Sequence, residues 1–185
     1  MQCAAIVLAA GASSRMGRPK QLLRITEDES LIERAIRLAH EAGCLPVIVV
    51  LGAHADAIRE QAHLPAVIVE NSAWADGVAG SIRTGVAAAG QADAALLLAC
   101  DQPAVSAQHL RTMLLAAEQH AIVASTYAGV TGIPAAFSRK YFDELMALSG
   151  DSGARSLLVR HAVHSVPLAG GEADLDRPED LPRSD

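Results

Sequence analysis

"VLAAGASSRMGRPKQLL", Val7–Leu23, decides how the rest of the chain is read. An apolar run meets Gly11, passes through small residues, sets out Arg15, Arg18 and Lys20, and turns apolar again. The chain as a whole carries a net charge of −6, so three cations on one short loop stand out. Gly11 and Gly17 bracket a loop whose backbone N–H groups can approach phosphate oxygens closely. Arg15 offers a planar fork for phosphate and Lys20 a mobile point charge, while Arg18 reads as a solvated cation. The plain alternative is a surface loop with incidental charges. Two phosphate motifs nearly fit and fail. G-x-x-x-x-G-K-S/T fails because Lys20 lies three residues beyond Gly17 and is followed by Gln21. G-x-G-x-x-G fails because Ser13 stands where the second glycine belongs.

Outward from this loop, short β-rich runs alternate with helical ones. "AAIVLAA" precedes it as a strand. "SLIERAIRLAHEAG" follows as a helix, with Ser30 and Glu33 spaced as a capping box and Gly43 as the stop. "LPVIVVLG", "AVIVE", "DAALLLAC", "AIVAST" and "AVHSVPL" read as further strands. Between them lie helices at "HADAIREQA", with His54 placed to cap it, at "GSIRTGVAAAG", and from Ala107 to Glu118 after a Ser106 cap. "GVTGIPAAF" reads as a turn or short hairpin, and two helices follow, near 139–148 and 152–160. The alternation predicts an α/β fold, a Rossmann-like three-layer α/β/α sandwich with a mainly parallel twisted sheet. Ligands of such sheets sit beyond the carboxyl ends of the strands, where the opening loop and Asp101 both fall.

The length of 185 residues fits one domain, 1–185, with a nucleotide-binding part to about residue 105 and an acceptor-binding part beyond it. Hydrophobic residues make up 51% but aromatics only 3%, so the core must rely on close approach of helices to the sheet. The acidic balance argues against a nucleic-acid partner. The N-terminal apolar run is too short to cross a membrane and lacks the basic flank of a signal peptide. Cys3, Cys44 and Cys100 show no C-x-x-C spacing; they read as buried small hydrophobes in a cytoplasmic protein.

Six segments, in order, carry a resemblance. "LAAGASSRMGRPKQLL" resembles the L-A-A/G-G-x-S-x-R-M-G-x-x-K-x-L-L opening of the MobA-like nucleotidyltransferases. "NSAWADGVAGSIRTGV", "CDQP", "GIPAAF", "GDSGARSLL" and "DLDRPEDL" are similar to later elements of that family. The form "LAAG" with "RPK" looks more like the cytidylyltransferase branch that matures molybdenum cofactor than like the guanylyl branch. Arg177, Ser152 and Ile133 depart from the usual threonine, lysine and histidine, mostly on the acceptor side.

The resemblance implies attack by an acceptor phosphate on the α-phosphate of CTP, with Mg²⁺ as cofactor and pyrophosphate leaving. Arg15, Lys20 and Asp101 would be the catalytic groups. Asp101 would hold the metal, with Asp176 or Asp174 supplying a second carboxylate from the chain's end. Ala9, Ala10, Gly11, Gly80 and Ser81 would bind the nucleotide, and Asp151 and Arg155 a phosphorylated pterin. An ion pair between Asp151 and Arg155 is the structural alternative for these two. Trp74 could stack on a ligand or pack, and Asn71 would fix its loop. The matured cofactor would pass to a molybdoenzyme or its chaperone. Two other readings stay open: transfer from another nucleotide such as GTP or to another phosphorylated acceptor, and a non-catalytic cofactor-binding maturation accessory.

Overall fold

The first strand, β1 (Cys3–Ala9), is buried on both faces. After the opening loop comes a small hairpin, β2 (Arg24–Thr26) and β3 (Glu29–Ser30). Then α1 (Leu31–Ala42) leads to β4 (Val47–Leu51), α2 (Ala55–Gln61) to β5 (Val67–Glu70), and α3 (Val78–Ala88) to β6 (Ala94–Ala99). Beyond these lie α4 (Ala107–Ala117), β7 (Ile122–Tyr127), β8 (Val130–Ser138), α5 (Phe142–Met146), α6 (Arg155–Arg160) and β9 (His164–Pro167). The structure is a computed structural model that describes residues 1–14 and 16–175. Arg15 and Asp176 lie outside the described residues.

Seven strands form one sheet in the order β5-β4-β1-β6-β8-β7-β9. It is mainly parallel; only β8 runs against its two neighbours. Strand alternation divides the core in two. Ala5, Val7, Val49 and Leu96 face α1, α2 and α4, while Ile6, Ile48, Val50 and Leu97 face α3, α5 and α6. This is the expected three-layer sandwich. The close approach implied by the small-residue composition is real: a Cβ added at Gly85 of α3 would overlap the Ile6 side chain.

Helix α1 carries the expected terminal chemistry. Ser30 N–H donates to the Glu33 carboxylate (2.8 Å), completing the capping box, and Gly43 ends the helix at φ 95°. His54 departs from expectation. It stands at the start of α2 but its side chain makes no cap; Nε2 bonds to the Ala12 carbonyl instead (2.8 Å).

The largest difference lies in "GVTGIPAAF". It is not a turn but most of β8, a nine-residue strand between β6 and β7. Pro134 has no N–H to give a ladder. The ladder accommodates it by a register shift: Ala124 pairs with Ala135 but Ser125 with Gly132, so Ile133 and Pro134 bulge out. Buried Ser125 Oγ then donates to the Pro134 carbonyl (3.0 Å).

Candidate active site

Chain direction places the site. From β1 the chain runs to β4 on one side and later reaches β6 on the other, so the β1–β6 boundary is a topological switch point. Loops leaving the carboxyl ends of these two strands carry Lys20 and Asp101. Their side chains meet in an ion pair between Lys20 Nζ and Asp101 Oδ2, only 20% and 13% exposed. The Asp101 backbone also receives the far end of the chain, with Leu175 N–H donating to its carbonyl (3.0 Å).

Four side chains hold the loops around this pair. Gln21 is 1% exposed; its Nε2 donates to the carbonyls of Ala9 (2.8 Å) and Gly11 (3.0 Å). Ser13 Oγ accepts from Lys20 N–H (3.1 Å) and donates to Gln21 Oε1 (3.3 Å), fixing the loop while Ser13 itself sits at φ 52°. His54 holds Ala12, as above. On the other loop, half-buried Arg34 of α1 donates to the carbonyls of Pro103 (2.9 Å) and Val105 (2.5 Å), just past Asp101. Burial holds the Arg34 guanidinium below its ordinary value. Gln21 and Arg34 escape a sequence reading: one stands in a motif position only as a mismatch, and the other on a helix that is remote in sequence.

A cleft of about 400 Å³ opens over the pair. Ala10, Gly11, Lys20, Ser81, Asp101 and Asp151 line it, with Trp74 at its mouth. Asn71 fixes the far wall as expected: buried, it donates to Ser81 Oγ (3.1 Å) and accepts from Ala73 N–H (3.1 Å). Two of the expected nucleotide residues sit behind the wall. Ala9 faces the core and contributes its carbonyl to Gln21. Gly80 packs on Asn71, whose Nδ2 lies 3.0 Å from where a Cβ would be. Cys100 also lines the cleft, but burial, and then the adjacent Asp101 carboxylate, push its thiol up to about 12. It is a neutral wall residue, not a nucleophile.

A second chamber of about 290 Å³ adjoins the first across Leu8, Val78, Ile133 and Asp151. Its floor is apolar, Tyr127 forms one side, and Arg155 stands at the rim. Arg155 makes no ion pair with Asp151 among the described residues. Burial, then the charge of Asp174, raises the Tyr127 hydroxyl above its ordinary value, with Asp101 adding to the effect. The bond from Leu175 N–H to the Asp101 carbonyl brings the neighbouring Asp174 to this part of the fold. The chambers are pressed together at Gly77: a Cβ there would lie 2.5 Å from the Gly150 carbonyl oxygen and 2.6 Å from Asp151 Oδ1.

The sequence profile of the MobA-like NTP transferase domain matches residues 5–166. The chain belongs to that family. The transferase is 32% identical over 163 residues to nicotine blue oxidoreductase of Paenarthrobacter nicotinovorans, covering 83% of this chain and 79% of that one. It is 30% identical over 193 residues to the purine catabolism protein PucB of Bacillus subtilis strain 168, covering 95% and 92%. Among solved structures, Rv0371c of Mycobacterium tuberculosis H37Rv superposes with a TM-score of 0.86 at 34% identity, over 97% of this chain and 95% of that one. A further structure of Rv0371c is its complex with manganese, with a TM-score of 0.80 at 32% identity and 97% and 96% coverage. The transferase is thus a nucleotidyltransferase by family and by fold. No helix among its described residues is long and apolar enough to cross a membrane.

Proposed function

We propose that the transferase moves CMP from CTP to the phosphate of molybdopterin, releasing pyrophosphate, in a Mg²⁺-dependent reaction. The observation that carries the reading is the meeting of Lys20 and Asp101 across the switch point, in a small-walled cleft that adjoins a second chamber. The acceptor's phosphate oxygen attacks the α-phosphorus. The bond from that phosphorus to the bridging oxygen breaks, and pyrophosphate leaves with the electron pair. The protein's part is to hold the phosphates in line and offset their charge. The Gly11 backbone and Lys20 do this at the opening loop, with Arg15 beside them in sequence.

The donor set fits a hard divalent ion. Asp101 offers carboxylate oxygen, Asp174 lies near, and Asp176 follows it in sequence outside the described residues. Among the described residues no group of three or more His, Cys, Asp or Glu could hold a metal unaided. Mg²⁺ keeps several waters and takes substrate phosphate as ligand, so one or two carboxylates suffice. When bound, the ion neutralises charge building on the phosphates.

For the base, Ala10 leaves room for a flat ring. Ser81 Oγ accepts from Asn71 and so keeps its own proton to donate to a pyrimidine edge. The acceptor's ring would lie in the apolar chamber, with Arg155 on its phosphate. The three buried free thiols fit the reducing cytoplasm. From there the matured cofactor would pass to a molybdoenzyme or its chaperone.

A competition binding series across CTP, GTP, ATP and UTP with Mg²⁺ tests the nucleotide. CTP should win, and preference for GTP would overturn the cytidylyl assignment. Tight cofactor binding without pyrophosphate release would favour a maturation accessory. Oxidation or reduction of a substrate without pyrophosphate release would make the oxidoreductase relative the better guide.

A further inference from the structure

We infer that the site admits its divalent cation only as the chelate of a polyphosphate, because Lys20 occupies the metal carboxylate until phosphate draws it away. The inference rests on Asp101 as metal ligand and Lys20 as phosphate ligand. In the structure these two groups pair with one another. Both are largely shielded from water, so solvent screens the pair less than it screens a surface pair.

A lone hydrated cation is opposed twice at this place. It must displace an ammonium already seated on the carboxylate, at a cost in broken pairing. Having done so, it takes from the largely shielded ammonium the carboxylate that balances its charge. A polyphosphate removes both obstacles at once. Its oxygens take the ammonium and complete the ion's shell, so no charge is left buried without a partner.

The surroundings let the side chain move while the loop stays. The Lys20 backbone N–H is held by Ser13 Oγ, and its neighbour Gln21 is clamped to Ala9 and Gly11. The four-carbon stem of lysine swings its ammonium between partners without backbone change. Cation and polyphosphate therefore bind with positive coupling, each raising the affinity for the other by the same factor.

The test measures Mn²⁺ binding to the full chain by equilibrium dialysis, first as the free ion and then as its preformed chelate with inorganic tripolyphosphate. Wild type should bind the free ion weakly and the chelate at least about 100-fold more tightly. Lys20→Met should bind the free ion at least about tenfold more tightly than wild type, and Lys20→Met/Asp101→Asn should lose that gain. Lys20→Arg, which keeps the charge, should stay weak toward the free ion. Thermal melts of each variant confirm the fold. If Lys20→Met leaves free-ion affinity unchanged while Asp101→Asn abolishes chelate binding, the gating by Lys20 is overturned and the metal assignment stands. If Asp101→Asn changes neither affinity, the metal assignment itself fails.

Discussion

Around Lys20 and Asp101 the backbone is clamped from three directions, by Gln21, Arg34 and His54. At the neighbouring chamber, Asp151 and Arg155 stand exposed, with no side-chain hydrogen bond or ion pair among the described residues. Under the proposed function the contrast separates two tasks. Phosphate chemistry needs groups held in place before the substrate arrives, since any reorganisation adds to the barrier. Acceptor recognition can be carried by a rim that meets its ligand on an apolar floor. Variants at the first region should therefore damage turnover or folding, and variants at the rim should change affinity for one substrate.

The largest effect is expected at Asp101. Asp101→Ala should lower pyrophosphate release by about 10³-fold, the scale seen when a charge-stabilising group is removed, with a lowered but still cooperative melting transition because Lys20 loses its carboxylate. Turnover near wild type would dissolve the distinction between the regions.

Gly77, where the two chambers press together, comes next. It sits at φ 108° and ψ 168°, a conformation open essentially to glycine alone. Gly77→Ala should cost about 3 kcal/mol, from strain and displacement of the Gly150–Asp151 loop. Denaturant melts measure this, and an unchanged midpoint would show that the wall yields easily.

Gln21→Leu should cost about 2 kcal/mol in the same melts, because the Ala9 and Gly11 carbonyls lose a buried donor. It should also raise the KM for nucleotide and leave the acceptor KM unchanged. The smallest effect is expected at the rim. Arg155→Ala should raise the acceptor KM about tenfold, the loss of one charge-assisted contact or about 1.4 kcal/mol. Nucleotide KM and melting curve should stay as in wild type. A matching rise in both KM values would show that the chambers act as one.

The parts legible in the sequence were those written locally. Strands buried on both faces announce themselves as apolar runs, and the Ser30–Glu33 box and Gly43 mark both ends of α1. Lys20 and Asp101 could be picked out because each belongs to a compact motif. Pro134 misled because proline usually argues against an interior strand; the shift that accommodates it shows only in the pairing with β7, where Ser125 meets Gly132 and bonds the Pro134 carbonyl. The β2–β3 hairpin is too short to show a period. Gln21, Arg34 and His54 work through carbonyls up to 71 positions away, and no local pattern announces such partners. The two groups placed behind the wall, Ala9 and Gly80, share a motif with residues that face the cleft, and spacing alone does not tell the two sides apart.

The most direct measurement follows α-³²P-labelled CTP with molybdopterin and Mg²⁺, quantifying label on the acceptor together with released pyrophosphate. One pyrophosphate is expected for each CMP found on the pterin phosphate, with wild-type protein and not with Asp101→Ala. Label that stays in CTP, or transfer that survives loss of Asp101, would contradict it.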